Sequence, residues 1–203
     1  MSSGSPMRFT RQFVLSASLV FAFFTPATAE VRTFTVDVPS SKVEFTLGDV
    51  LHMVHGTFLL KSGTVTFDDA TGRASGEIVM DATSGESGSK ARDRKMKDIL
   101  ETDRFPDIVL KILKIDGAVP RDGKSTVQLI GRMSLHGEDH PVTLSVPVTV
   151  SGISASANVA FPVPYVKWGL KNPSTLFLRV NDTVDIVVHA VGQISSTSAS
   201  LPR

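Results

Sequence analysis

The sequence contains no cysteine among its 203 residues. This absence excludes disulfides, a thiolate nucleophile, cysteine metal ligands and a lipoprotein-type anchor, all of which need that residue. Aromatic residues other than phenylalanine are almost absent too, with one tryptophan and one tyrosine. The fold must therefore be stabilised by its apolar core, without covalent cross-links.

Long apolar runs are scarce as well, because only residues 13–24 form one. Arg8 and Arg11 precede this run, and the sequence Pro26-Ala27-Thr28-Ala29 follows it. A basic start, a short apolar run and a small-residue end are typical of a cleavable secretory signal. The run is shorter than the roughly 20 residues that a membrane-spanning helix needs. We expect residues 1–29 to be a signal peptide removed on export.

Neither sign of charge dominates the rest of the chain. Without the leader, 19 basic residues stand against 20 acidic ones, which excludes the basic footprint of a nucleic-acid-binding protein. The 174 residues that remain suit one domain with a substantial core. We expect this domain to cover residues 30–194, followed by a serine-rich disordered tail over residues 195–203.

Apolar and polar residues alternate along almost every remaining stretch. Val142, Leu144 and Val146 fall on one side of residues 142–150, and Thr143 and Ser145 fall on the other. Since side chains of a strand alternate between two faces, this pattern predicts a sheet that is wet outside and apolar inside. The predicted strands cover residues 31–38, 42–47, 57–67, 73–81, 108–115, 126–135, 140–150, 153–161 and 183–194. We expect a turn at residues 39–41 and a break in the third strand at residues 61–63.

One stretch repeats at helical spacing instead. In residues 91–100, Met96, Ile99 and Leu100 fall on one face and most of the others are charged, which predicts a short amphipathic helix after a polar loop over residues 83–90. About eight strands with one inserted helix indicate an antiparallel barrel or sandwich. Closure into a barrel would remove exposed strand edges that can pair with other chains.

Several short sequences, in their order and spacing, resemble the YceI-like family over about residues 31–194. They are His55-Gly56-Thr57-Phe58, Gly63-Thr64-Val65-Thr66-Phe67-Asp68, Arg92-Asp93, Phe105-Pro106-Asp107-Ile108, Gly131-Arg132-Met133-Ser134-Leu135-His136-Gly137 and Trp168-Gly169-Leu170.

The resemblance implies an all-β fold: an eight-stranded antiparallel lipocalin-like barrel with one short inserted α-helix. It further implies export to the bacterial periplasm and a long isoprenoid-type lipid as ligand, such as a polyprenyl chain or an isoprenoid quinone. The family pattern establishes no enzymatic activity, and we expect no cofactor. Lys95-Met96 and Trp168 differ from the commoner His-Leu and Phe of the family, which leaves the head group of the lipid open.

A barrel of about eight strands is either filled by its own side chains or holds one small ligand, and the sequence does not choose between the two. The side chains expected to line a cavity and bind a ligand are those of Phe45, Leu47, Phe58, Phe67, Met80, Met96, Leu100, Leu135, Phe161 and Trp168. For each, ordinary core packing is the competing interpretation. Arg92 is added because it can reach a head group, although Arg92 and Asp93 also fit a helix cap and ion pair.

The histidines are the candidate metal ligands, in the pairs His52 with His55 and His136 with His140. Residues three apart in a strand face opposite sides, and the second pair straddles a turn where we expect solvated side chains. We therefore expect no metal site. No Gly-x-Ser-x-Gly, His-Glu-x-x-His or paired-carboxylate motif is present, so we expect no enzyme.

The working hypothesis is a periplasmic carrier for an isoprenoid-type lipid that contacts the membrane transiently for loading. Two alternatives stay open. One is an enzyme or metal-dependent protein that acts on a small molecule in the same cavity. The other is a filled barrel that binds partners through its outer face.

Overall fold

A computed structural model describes residues 30–49, 52–175 and 179–198. The expected leader, residues 1–29, lies outside the described residues. The elements are β1 (Glu30–Val36), β2 (Lys42–Gly48), β3 (Met53–Asp68), β4 (Arg73–Glu86), α1 (Lys90–Leu100), β5 (Asp107–Asp116), β6 (Gly123–Leu135), β7 (Glu138–Ser151), β8 (Ser154–Val163) and β9 (Val184–Ser198). No helix in these ranges is long and apolar enough to cross a bilayer.

The strands form one closed antiparallel sheet. From β3 to β9 each strand pairs with the next, and both β1 and β2 pair with β3 on one side and with β9 on the other. Strand β1 pairs with residues 64–68 of β3, whereas β2 pairs with residues 53–58. The two short strands therefore share one position, and the predicted barrel of eight strands with one helix is confirmed.

The expected turn at residues 39–41 does not reverse the chain. Val38–Ser40 forms a single 3-10 turn, after which β2 continues along the same two neighbours. The amide of Asp37 donates to the carbonyl of Val191 at 2.8 Å, and the amide of Val191 donates to the Ser41 hydroxyl at 3.0 Å. These bonds keep the interrupted segment attached to β9. Pro39 therefore interrupts the strand, but β2 resumes in the same direction between the same two neighbouring strands.

The expected break at residues 61–63 is a β-bulge inside a continuous β3. Leu60 pairs with Met80 and Ser62 pairs with Val79, which leaves Lys61 as an extra residue. The Lys61 ammonium donates a hydrogen bond to the Asp107 carboxylate, and this bond raises the pKa of Lys61. A bulge increases the local twist, which helps a sheet to close.

Several strands are longer than predicted, among them β3, which begins at Met53 and not at residue 57. Strand β4 reaches Glu86, so the polar loop is confined to residues 87–89. Strand β9 reaches Ser198, although we expected residues 195–198 to be disordered. These residues pair with β1, and Ser195 lies opposite Thr33 while Ser198 lies opposite Glu30. Backbone pairing needs no apolar side chain, and a serine-rich segment therefore fits there. Residues 199–203 lie outside the described residues.

Helix α1 lies at one end of the barrel, after β4. It begins one residue before its predicted start and ends where Glu101 adopts the left-handed conformation, with φ of 48°. None of its residues is fully buried, but Met96, Ile99 and Leu100 pack against the core at that end. The helix thus covers the rim of the barrel with its apolar face.

Two apolar clusters occupy the two ends of the interior. One contains Phe45, Phe58 and Leu135 and lies beneath the helix. The other contains Phe67 and Val127. Because Phe58 and Phe67 lie nine residues apart on the long strand β3, the clusters are separated along the barrel axis.

Candidate ligand-binding cavity

A cavity of about 590 Å³ runs through the barrel. All nine strands and helix α1 contribute to its lining, which includes members of both apolar clusters. Cavities of about 300–1,000 Å³ are typical of sites for small ligands. The barrel is therefore not filled by its own side chains, which removes the basis of the filled-barrel alternative.

The cavity has a mainly apolar lining, and most of its few polar groups lie at the end beside the helix. Among its described lining residues, those with polar or charged side chains are Asp49, Ser87, Arg92, Lys95, Ser156 and Tyr165. Within the part of the chain that the structure describes, three lining residues are exposed to solvent: Ala91, Arg92 and Lys95, all on α1. The mouth of the cavity is thus beside the helix.

Ten of the eleven predicted site residues line this cavity. They are Phe45, Leu47, Phe58, Phe67, Met80, Arg92, Met96, Leu100, Leu135 and Phe161. Their placement agrees with the expected lining, while their part in binding a ligand stays a prediction.

Trp168 does not line the cavity, contrary to expectation. The loop after β8 turns so that Tyr165 and Leu170 are buried, and the amide of Leu170 donates to the carbonyl of Tyr165 at 3.0 Å. The indole of Trp168 instead stacks on the ring of His140 at 4.2 Å. In the cavity lining, Tyr165 and Leu170 take the place we assigned to Trp168.

The prediction also missed inward residues in the far half of the barrel, such as Val127, Leu144 and Ala157. The alternating pattern marked such positions as inward. It carried no signal to separate side chains that line open space from side chains that touch one another across the barrel.

The segment between β8 and β9, which contributes Tyr165 and Leu170 to the cavity lining, has its beginning bonded to its end. The Tyr165 hydroxyl donates to the carbonyl of Asn181 at 2.6 Å. Burial, helped by the nearby carboxylate of Asp182, raises the pKa of Tyr165 to about 12, so this hydroxyl remains a donor. The Asn172 amide donates to the Val180 carbonyl at 2.9 Å and to Asp182 at 2.7 Å.

Arg92 and Asp93 both bind Ser87, which precedes the helix. The Asp93 carboxylate accepts bonds from the Ser87 hydroxyl at 2.6 Å and the Ser87 amide at 2.8 Å, and these bonds lower the pKa of Asp93. The Arg92 guanidinium donates to the Ser87 carbonyl at 2.9 Å and to its hydroxyl at 3.3 Å. Arg92 therefore fixes the start of the helix and also lines the cavity.

The first pair of histidines lies apart from the cavity lining. His52 is exposed beside Asp49, with 3.6 Å between its Nδ1 and the carboxylate. His55 shares a hydrogen bond of 3.0 Å with the Thr46 hydroxyl.

The second pair is half-buried, whereas we expected solvated side chains. His136 packs on Phe105, and its Nε2 lies 3.1 Å from the Glu101 carboxylate. The bond between His136 and Glu101 lowers the pKa of Glu101. His140 is half-buried against Trp168. Within the described ranges, no three His, Asp or Glu side chains come together in a group able to hold a metal ion.

Comparison with known proteins agrees with this geometry. BcnA of Burkholderia cenocepacia is 21% identical, with a TM-score of 0.64 over 77% of this chain and 98% of that chain. A polyisoprenoid binding domain from Saccharophagus degradans is 13% identical, with a TM-score of 0.60 over 80% of this chain and 98% of that chain. No curated protein sequence matches significantly. At these identities the two structures show the fold alone, but the model of the YceI-like domain matches residues 34–192, and the chain therefore belongs to the YceI-like family.

Proposed function

We propose that this protein is a carrier that shelters a long isoprenoid-type lipid, such as a polyprenyl chain or an isoprenoid quinone, from water. The observation that carries the proposal is the apolar cavity of about 590 Å³ that runs between the two core clusters. A structurally similar domain that is described as polyisoprenoid-binding supports this choice of ligand.

The affinity of such a site comes from burial of hydrocarbon. Each buried CH₂-sized group contributes about 0.8 kcal/mol, so a five-carbon unit contributes roughly 3–4 kcal/mol before ordering costs. Association costs an estimated 4–15 kcal/mol, so at the lower end of this range three buried units leave roughly 5–8 kcal/mol, which corresponds to affinities between millimolar and micromolar. A longer buried chain binds more tightly. Polar contacts inside the barrel are not required.

The proposed role is binding and not catalysis. None of the described histidines lines the cavity. Of its ionisable lining groups, Lys95 is exposed at the mouth, the Tyr165 hydroxyl donates to the Asn181 carbonyl, and Asp49 accepts from the amide of His52. These placements leave little scope for a general acid or base inside the barrel. The apparent signal peptide supports a periplasmic location, where the protein would load its lipid by transient contact with a membrane.

The test makes the same alanine-to-tryptophan substitution at two positions of one strand, one on its inner face and one on its outer face. Ala157 of β8 lines the cavity, whereas Ala160 of the same strand is exposed on the outer face. Ala157→Trp puts an indole into the cavity, and Ala160→Trp is the matched control. The exported proteins are purified, extracted with organic solvent and analysed by mass spectrometry.

We expect an isoprenoid-type lipid in extracts of the natural protein and of Ala160→Trp, and much less in extracts of Ala157→Trp. Circular dichroism checks that both variants are folded. A natural protein that yields no lipid, and binds none when polyprenyl lipids are added, would contradict the carrier. An added lipid that is recovered with a changed mass would support the enzyme instead.

A further inference from the structure

Two cations of helix α1 face the mouth of the cavity. Arg92 and Lys95 are three residues apart, which puts them on the same side of a helix, and both line the cavity while remaining exposed to solvent. The same helix carries Arg94 and Lys97, which are exposed but do not line the cavity. The helix therefore presents two of its five cations to the cavity, while Lys90, Arg94 and Lys97 point elsewhere.

Neither cation of this pair forms an ion pair among the described residues, although the Asp93 carboxylate, which shares Ser87 with Arg92, interacts with the charge of Arg92. Among the described residues, Lys95 forms no hydrogen bond or ion pair. Arg92 donates to the hydroxyl and carbonyl of Ser87, which are uncharged groups. Asp49 is the one acidic residue of the described lining, and its carboxylate accepts the amide of His52 at 2.7 Å.

We propose that Arg92 and Lys95 bind an anionic head group, of the phosphate class, at the water-facing end of the isoprenoid chain. This inference rests on the proposed function, because the chain must occupy the barrel to bring its head to the mouth. An anion there would accept charge-assisted hydrogen bonds from both side chains, and a planar guanidinium suits phosphate oxygens. A neutral head group would gain far less from two cations.

The experiment compares two probes with the same hydrocarbon chain, geranylgeranyl phosphate and geranylgeraniol. Their affinities for the natural protein are measured by titration calorimetry below the concentration at which either probe forms micelles. We expect the phosphate to bind about three- to tenfold more tightly, since the mouth is exposed and each ion pair there is worth little. Added salt should reduce this preference.

Lys95→Gln is the central variant because the Lys95 side chain has no partner among the described residues to lose. Lys97→Gln is its matched control, with the same substitution and the same loss of charge two residues away. We expect Lys95→Gln to weaken binding of the phosphate by about two- to fivefold and to leave geranylgeraniol unaffected. Arg92→Gln should act in the same direction, with a thermal melt to check the helix start that Arg92 helps to hold.

The outcomes separate this inference from the function on which it rests. Equal affinity for the two probes would overturn the anionic head group and leave the lipid carrier intact. Binding of neither probe would overturn both. An equal loss in Lys95→Gln and Lys97→Gln would also overturn the inference, because it would indicate a general attraction of the helix for anions, such as an anionic membrane surface.

Discussion

The imidazole ring of His140 lies parallel to the indole of Trp168, with ring centroids 4.2 Å apart and an angle of 1° between their planes. His140 belongs to β7, and Trp168 belongs to the loop between β8 and β9. The same loop sends Tyr165 and Leu170 into the core beside the cavity. The stacked pair thus fastens the loop to the barrel wall.

We expect the stack to be measurable in a double-mutant cycle. The free energy of unfolding in urea is compared for the natural protein, His140→Ala, Trp168→Ala and the double variant. Stacked aromatic pairs contribute about 0.5–1.5 kcal/mol beyond their buried area, so the coupling should fall in that range.

His140→Phe is the control for this cycle. The Nε2 atom of His140 is buried without a hydrogen-bond partner among the described residues, and phenylalanine keeps a flat ring while removing that atom. We expect His140→Phe to be at least as stable as the natural protein. Additive effects of the two alanine substitutions would show that the rings do not interact.

Acid should weaken the contact between the first strand and the β5–β6 loop. Both carboxylate oxygens of Glu30 accept hydrogen bonds from Arg121. These bonds, and to a smaller extent a bond from the Ser196 hydroxyl, lower the pKa of Glu30 from 4.5 to about 2. A lowered folded-state pKa gives stability that is complete above pH 4.5 and is lost as pH falls towards 2.

Glu30→Gln should therefore be less stable than the natural protein above pH 4.5, and the difference should disappear near pH 2. Urea titrations across this range provide the measurement. Glu138→Gln, at an exposed carboxylate without an ion pair among the described residues, is the control. A difference that stays constant down to pH 2 would contradict the assignment.

The end of the barrel opposite the helix depends on a buried arginine. Arg32 is 2% exposed and donates to Asp69 at 2.7 Å and to the carbonyls of Val119 at 2.5 Å and Pro120 at 3.1 Å. Its guanidinium also lies 4.9 Å from the centre of the Phe67 ring. It thereby joins β1 to the β3–β4 and β5–β6 loops.

We expect Arg32→Met to lower the free energy of unfolding by about 3 kcal/mol, because two carbonyls and a carboxylate lose their donor. Arg132→Met, at an exposed position of β6, should change it by no more than about 0.5 kcal/mol. Equal urea midpoints for the two variants would show that the buried bonds are dispensable.

Gly56 of the His-Gly-x-Phe sequence is needed for space. A Cβ atom at this position would lie 2.3 Å from the ring of Phe45 and 2.3 Å from the carbonyl oxygen of Glu86. We expect Gly56→Ala to cost about 1–3 kcal/mol in urea unfolding, because a ring and a backbone must move. Ser62→Ala, on the exposed side of the same strand, should have little effect, and a similar result for Gly56→Ala would refute the steric reason.

The sequence predicted local features well where a periodic pattern was strong. The pattern of residues 126–135 lies within β6, and the helical spacing of Met96, Ile99 and Leu100 placed α1 to within one residue. It predicted less well where contacts distant in sequence decided the outcome. Pro39 interrupts a strand without turning it, because β9 holds both sides of the interruption.

The loop residues show the same limit. Trp168 and Tyr165 are both aromatic residues of one loop, and composition did not indicate which of them would face the cavity. The buried bond of Tyr165 to Asn181 and the ring of His140 decide that Tyr165 turns inward and Trp168 turns to the wall.

By itself the sequence determined which side chains face the inside of a sheet and where one amphipathic helix interrupts it, because both are set by the spacing of apolar residues along the chain. Only the tertiary structure decided that the inward side chains leave a cavity open between them. The width of a closed barrel depends on the number of strands and on their stagger around the ring, which arise from pairing between distant segments and not from any one strand.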